Sequence, residues 1–85
     1  MIQDVEMHFS IMDDRFDELM ELGHKIRQVR MEKNMSQTSL AHLIGKDQPS
    51  INRLEKGKIN PSYIYLLEVC EGLEITLSEL LDRKI

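Results

Sequence analysis

From residue 22 onward the apolar positions recur at intervals of three and four, broken by well-formed helix ends. Leu22, Ile26 and Val29 predict an amphipathic helix over Leu22–Lys33. Ser36 reads as the N-cap of a second helix, Gln37–Ile44, with Leu40, Ala41 and Ile44 turned inward. Gly45 ends that helix, because glycine takes a left-handed conformation without steric cost. Asp47 then caps a third helix, Gln48–Lys56, where Pro49 is tolerated because its missing N–H falls in the first turn. Ile51 and Leu54 face the core, and Gly57 stops the helix. Asn60-Pro61 predicts the start of a fourth helix running to about Gly72, which buries some of Tyr63, Leu66, Leu67, Val69, Cys70 and Leu73. Thr76 and Glu79 have the spacing of a capping box before a last short helix carrying Leu77, Leu80 and Leu81. Strand signals are weak after residue 12, so the fold class is all-α.

The first 21 residues carry two patterns at once. Val5, Met7, Phe9 and Ile11 alternate with Glu6, His8 and Ser10, which suits a strand. Ile2, Val5, Phe9, Met12, Phe16 and Leu19 step by three and four, which suits a helical seam. Ser10 with Asp13 supports a helix from about residue 11 toward Leu22, and the first nine residues stay open between the two patterns. Phe9, Met12, Phe16 and Leu19 are expected to bury against the core or across a dimer. The chain thus divides into an N-terminal extension, 1–21, that is partly helical, and a domain over 22–85.

Charge changes the picture only when it is split. The chain of 85 residues carries a net charge of −4, which taken whole argues against nucleic acid. Residues 1–22 hold −6, residues 23–61 hold +5 and residues 62–85 hold −3. An electropositive centre between acidic ends is the asymmetry of a nucleic-acid contact surface. The short chain buries a modest core, so a symmetric copy would help it. One cysteine allows no internal disulfide, and the apolar runs are too short for a membrane span. A cytoplasmic protein is the expectation.

Two short helices joined by a tight turn over Gln37–Lys56 meet the geometric demands of a helix-turn-helix. Ala41 lies where the helices cross, Gly45 sits at the sharp turn, and Ile51 and Leu54 return the second helix to the core. Beyond this spacing, Ser36-Gln37, Leu40-Ala41, Gly45, Ile51, Arg53-Leu54-Glu55, Gly57, Asn60-Pro61 and Leu77…Leu80-Leu81 resemble the lambda-repressor-like (XRE/Cro-type) DNA-binding domain. Ile26-Arg27 and Arg30 resemble that family's first helix, and the likeness covers about residues 22–82. It implies a five-helix domain whose third helix reads DNA.

Carried over by resemblance, the base-reading face is Gln48, Pro49, Ser50, Asn52 and Arg53. Gln48 and Asn52 offer paired donor and acceptor atoms to adenine, and Arg53 suits guanine O6 and N7. Pro49 departs from the polar residue usual in the family and offers only apolar contact. Gln37, at a helix N-terminus with free N–H groups, and Lys46, Lys56, Lys58 and Asn60 in or beside the flanking loops suit phosphate contacts. Lys46 replaces the family's usual aliphatic residue. Arg30 and Glu55 match a pair that forms an internal ion pair in the family, and neither would then reach DNA. Lys25, Arg27 and Lys33 read as plain surface charges.

Other chemistry is poorly supported. Glu21 and His24 share a helix face, but the further ligands of a carboxylate metal site are missing. His8, His24 and His42 lack zinc spacing, and Cys70 reads as a small core residue. No phosphate loop or nucleophile elbow occurs. The expectation is therefore no enzyme, no metal and no cofactor. The function expected is sequence-specific binding of double-stranded DNA as a transcriptional regulator, a repressor acting as a homodimer on a palindromic operator. The alternative is an antitoxin-like module that binds a partner protein through its N-terminal segment, with exposed Ile64 and Tyr65 as further contact residues.

Overall fold

A computed structural model describes the backbone of residues 2–84 and the side chains of residues 16–84. Within them the chain forms five helices and no strand: α1 (Ile2–Glu32), α2 (Gln37–Leu43), α3 (Gln48–Glu55), α4 (Tyr63–Leu73) and α5 (Leu77–Asp82). The alternating pattern of the first eleven residues therefore yields helix. Its three-and-four seam runs in one phase from Ile2 through Leu19 and Leu22 to Ile26, with no proline to interrupt it. At about 1.5 Å per residue, 31 residues span roughly 46 Å, so α1 accounts for the 48 Å long axis of the molecule.

Among the described residues the buried apolar cluster spans residues 26–80, and Leu22 packs against it. Ile26 and Val29 of α1, Leu40 and Ala41 of α2, Ile51 and Leu54 of α3, Val69, Cys70 and Leu73 of α4, and Leu80 of α5 form one buried cluster. Each fully buried Leu or Ile contributes about 1.5–3 kcal/mol, so this cluster clamps α3 between α1 and α2. Burial raises the Cys70 thiol above its ordinary pKa, consistent with an inert core residue.

The helix ends follow local chemistry. Ser36, Asp47, Ser62 and Thr76 each accept a backbone N–H three residues on. Thr76 and Glu79 complete a reciprocal capping box, and the bonds from Thr76 hold the Glu79 carboxyl below its usual pKa. The fourth helix starts two residues later than Asn60-Pro61 suggests, because the Ser62 hydroxyl takes the N–H of Tyr65 at 3.0 Å.

Of the burial expectations, that for Tyr65 is corrected. Tyr63, the first residue of α4, is 64% exposed. Tyr65, one turn before Val69 on the inward face, is half-buried instead of exposed. Its hydroxyl is buried with no hydrogen-bond partner among the described residues, and burial raises its pKa. Leu81 points outward, while Leu80 fills the core. Ile64 is exposed. Phe16 is 57% exposed and Leu19 half-buried, so Phe16 does not join the core of the single chain. The side chains of Phe9 and Met12 lie outside the described residues.

Candidate nucleic-acid interface

The turn between α2 and α3 is built from its residues in order. Ala41 is buried at the crossing of the two helices, and its carbonyl accepts the Lys46 N–H at 2.8 Å. Gly45 sits at φ 69°, the left-handed region where a side chain strains the backbone. Asp47 then starts α3 by accepting the Ser50 N–H at 2.9 Å. Hydrogen bonds from Ser50 hold the Asp47 carboxyl below its usual pKa, with the Arg53 charge adding to the effect.

Beneath the outer face lies a polar relay. Arg30 of α1 donates from Nε to Glu55 Oε2 at 2.7 Å and from Nη2 to Glu55 Oε1 at 3.0 Å. Its Nη1 donates to the Met35 carbonyl at 2.7 Å, so all three guanidinium nitrogens are engaged. Both side chains are buried, and the bidentate geometry is the strong form of this pair. Gln37 extends the relay outward. Its Nε2 donates to Glu55 Oε1 at 3.0 Å, while its Oε1 accepts from Gln48 Nε2 at 2.7 Å and from Asn52 Nδ2 at 3.4 Å.

That arrangement leaves the Gln48 and Asn52 amides each with a free carbonyl and a second N–H, a donor–acceptor pair of the kind adenine matches. Gln48, Pro49 and Arg53 are exposed on α3, with Ser50 and Asn52 half-buried beside them. Arg53 Nη2 leans on Ser50 Oγ at 3.3 Å. The five predicted base-reading residues therefore share one outward face, and Gln37 is tied to it by its side chain. This side-chain tie of Gln37 was missed in the sequence, where only its helix-terminal position is visible.

The predicted phosphate residues divide. Lys56, Lys58 and Asn60 are exposed at the C-terminal end of α3 and in the loop after it. Lys46 lies on the other flank, with its ammonium 4.9 Å from the centre of the Tyr65 ring and 3.9 Å from Glu68. Arg83 pairs with Glu32, and Lys25 Nζ donates to the Leu81 carbonyl at 2.7 Å, tying α5 to α1.

Close backbone approach sets how α1 meets α3. A methyl group at Gly23 would stand 2.3 Å from the Glu55 carbonyl oxygen, and one at Gly57 would stand 2.7 Å from the Met20 backbone. Neither contact is visible in the local sequence, since a glycine inside a helix or just past its end gives no sign of what crosses it. Among the described residues no three metal-ligating side chains converge, and no helix is long and apolar enough to cross a membrane.

Residues 26–80 match the helix-turn-helix family. The chain belongs to this family. The control protein C.MunI of a Mycoplasma species is 42% identical over 59 residues, covering 68% of this chain and 80% of that protein. The restriction-modification controller protein C.AhdI of Aeromonas hydrophila superposes with a TM-score of 0.76 at 33% identity, over 79% of this chain and 97% of that one. The clp gene regulator ClgR of Corynebacterium glutamicum gives 0.72 at 26% identity, over 73% and 80%. The five helices are those of the lambda-repressor-like domain. As a helix-turn-helix protein of this kind the chain binds double-stranded DNA and regulates transcription, in a family of regulators rather than enzymes.

Proposed function

We propose that this protein is a sequence-specific regulator that binds a palindromic operator as a homodimer and represses by occlusion, in the cytoplasm. The observation that carries the reading is the outward face of α3, whose Gln48 and Asn52 amides are pre-oriented by Gln37 beside an exposed Arg53. Gln48, Pro49, Ser50, Asn52 and Arg53 meet base edges, while Gln37, Lys46, Lys56, Lys58 and Asn60 meet the backbone. One α3 covers only a few base pairs, so two copies supply the affinity by entering successive major grooves about 34 Å apart. The likeness to C.MunI and C.AhdI favours control of a restriction-modification system as the setting.

Selecting bound sites from random duplex DNA tests this directly, and a two-fold symmetric consensus is expected. Arg53→Ala then relaxes specificity at one base pair per half-site, a loss of about 1–3 kcal/mol of discrimination. Lys58→Ala weakens all sequences alike and flattens the salt dependence. Equal losses on specific and random duplex from both variants would sink the assignment.

The exposed Phe16 favours a second function for residues 1–21. As an extension distinct from the domain over 22–85, they pair across the homodimer or with a small basic, toxin-like partner protein. Deleting residues 1–14 should change the sedimentation behaviour of the protein or of its complex. An unchanged oligomeric state and melting temperature would count against this extension.

A further inference from the structure

Arg27 reads in sequence as a plain surface charge, but the fold gives it a different setting. A cleft of about 530 Å³ runs between α1 and α3, lined by His24, Arg27 and Arg30 on one wall and Asn52, Glu55 and Lys56 on the other. Within it the Arg30 guanidinium and the Glu55 carboxylate neutralise each other through two short bonds. The charge left over is positive, from Arg27 and Lys56, both exposed. No carboxylate pairs with either one among the described residues. Elsewhere on α1, by contrast, Lys25 is met by Glu21 at 3.4 Å.

We infer that this cleft takes a DNA backbone phosphate, with Arg27 on α1 and Lys56 on α3 gripping it from opposite walls. The inference rests on the DNA-binding reading above and extends the contact surface to α1. Asn52 and Gln37 also line the cleft, so a phosphate there lies at the edge of the groove that α3 enters. The spacing of the walls is fixed by backbone. Gly23, one turn before Arg27, packs against the Glu55 carbonyl so closely that no side chain fits between them. Lys56 is the residue after that carbonyl, so Arg27 and Lys56 flank one rigid contact. A planar guanidinium carried on a backbone fixed in this way suits phosphate oxygens, and a contact of this kind positions the protein without reading sequence.

The test uses the full chain and its selected site, with Lys33→Ala as a control whose charge faces Glu79 of α5 instead. Arg27→Ala should melt like the unmodified protein and keep its sequence preference. Its slope of log affinity against log salt should become shallower by up to about 0.9 for each bound copy, so by up to about 1.8 for the dimer, the value for one released phosphate contact per copy on duplex DNA. Arg27→Lys should retain the slope, and Lys33→Ala should leave it unchanged. On duplexes with single methylphosphonate replacements, one position per bound copy should weaken the unmodified protein clearly more than Arg27→Ala, in which Lys56 alone still meets that phosphate. A normal slope in Arg27→Ala, with sequence preference intact in the unmodified protein, overturns the cleft assignment alone. An unmodified protein with no preferred duplex overturns the DNA reading and the cleft with it.

Discussion

Arg30→Ala should lower the melting temperature by about 15 °C or more and leave the domain largely unfolded under conditions where the unmodified protein is folded. The variant strands the Glu55 carboxylate at 4% exposure, with the Gln37 amide at 3.0 Å as its remaining side-chain donor. Breaking a buried pair by removing one partner costs about 3–5 kcal/mol, because the survivor keeps its desolvation penalty without its counter-charge. A chain of 85 residues has a total stability of roughly 4–13 kcal/mol at the usual 0.05–0.15 per residue. The loss is therefore a large share of the whole. The Met35 carbonyl also loses its donor, which loosens the α1–α2 connection. Replacing both partners, as Arg30→Met with Glu55→Leu, should recover much of the stability, since no charge is then buried alone. That recovery should not extend to DNA affinity, because Gln37 loses the Glu55 anchor through which it orients Gln48 and Asn52. A normal melting curve for Arg30→Ala would show that the pair is structurally dispensable.

The contrast between what sequence reveals and what it conceals follows from the range of each interaction. Ser36, Asp47 and the Thr76–Glu79 box act within four residues, so their chemistry is written in adjacent letters. Gly45 and Gly57 end helices for the same local reason, and both adopt the left-handed conformation. The relay from Arg30 through Glu55 to Gln37 joins residues 18 and 25 apart, and only resemblance to a family hinted at its first link. Gln37 as an anchor for the Gln48 and Asn52 amides depends on side-chain placement, for which no spacing rule exists. The N-terminal residues failed differently. Two periodicities overlap there, and only the uninterrupted phase with Leu22 and Ile26 selects the helix. At the start of α4, proline preference and serine capping competed, and the hydrogen bond from Tyr65 to Ser62 decided it. Tyr65 then takes an inward position where an exposed one was expected.

Gly57→Ala and Gly45→Ala separate backbone strain from close packing, and the first should be the more damaging by about 1–3 kcal/mol. Both residues have φ near 70°, where an alanine costs about 1–2 kcal/mol whatever surrounds it. At Gly45 an added methyl meets nothing within 4 Å, so strain is the whole effect. At Gly57 the methyl would stand 2.7 Å from the nitrogen and Cα of Met20, inside the packed contact between α1 and the end of α3. A helix backbone cannot yield as a flexible side chain does, so α1 must move away from α3 as a unit. That displacement opens the cleft holding Arg27 and Lys56 and disturbs the Gly23 contact with Glu55. Gly57→Ala should therefore lose affinity for random duplex as well as stability, whereas Gly45→Ala leaves the α1–α3 contact untouched. Thermal melts of the two variants side by side, with random-duplex affinity measured well below either midpoint, give the answer. Equal destabilisation would mean that φ alone governs both sites and that α1 does not press on the end of α3 as tightly as Gly23 and Gly57 indicate.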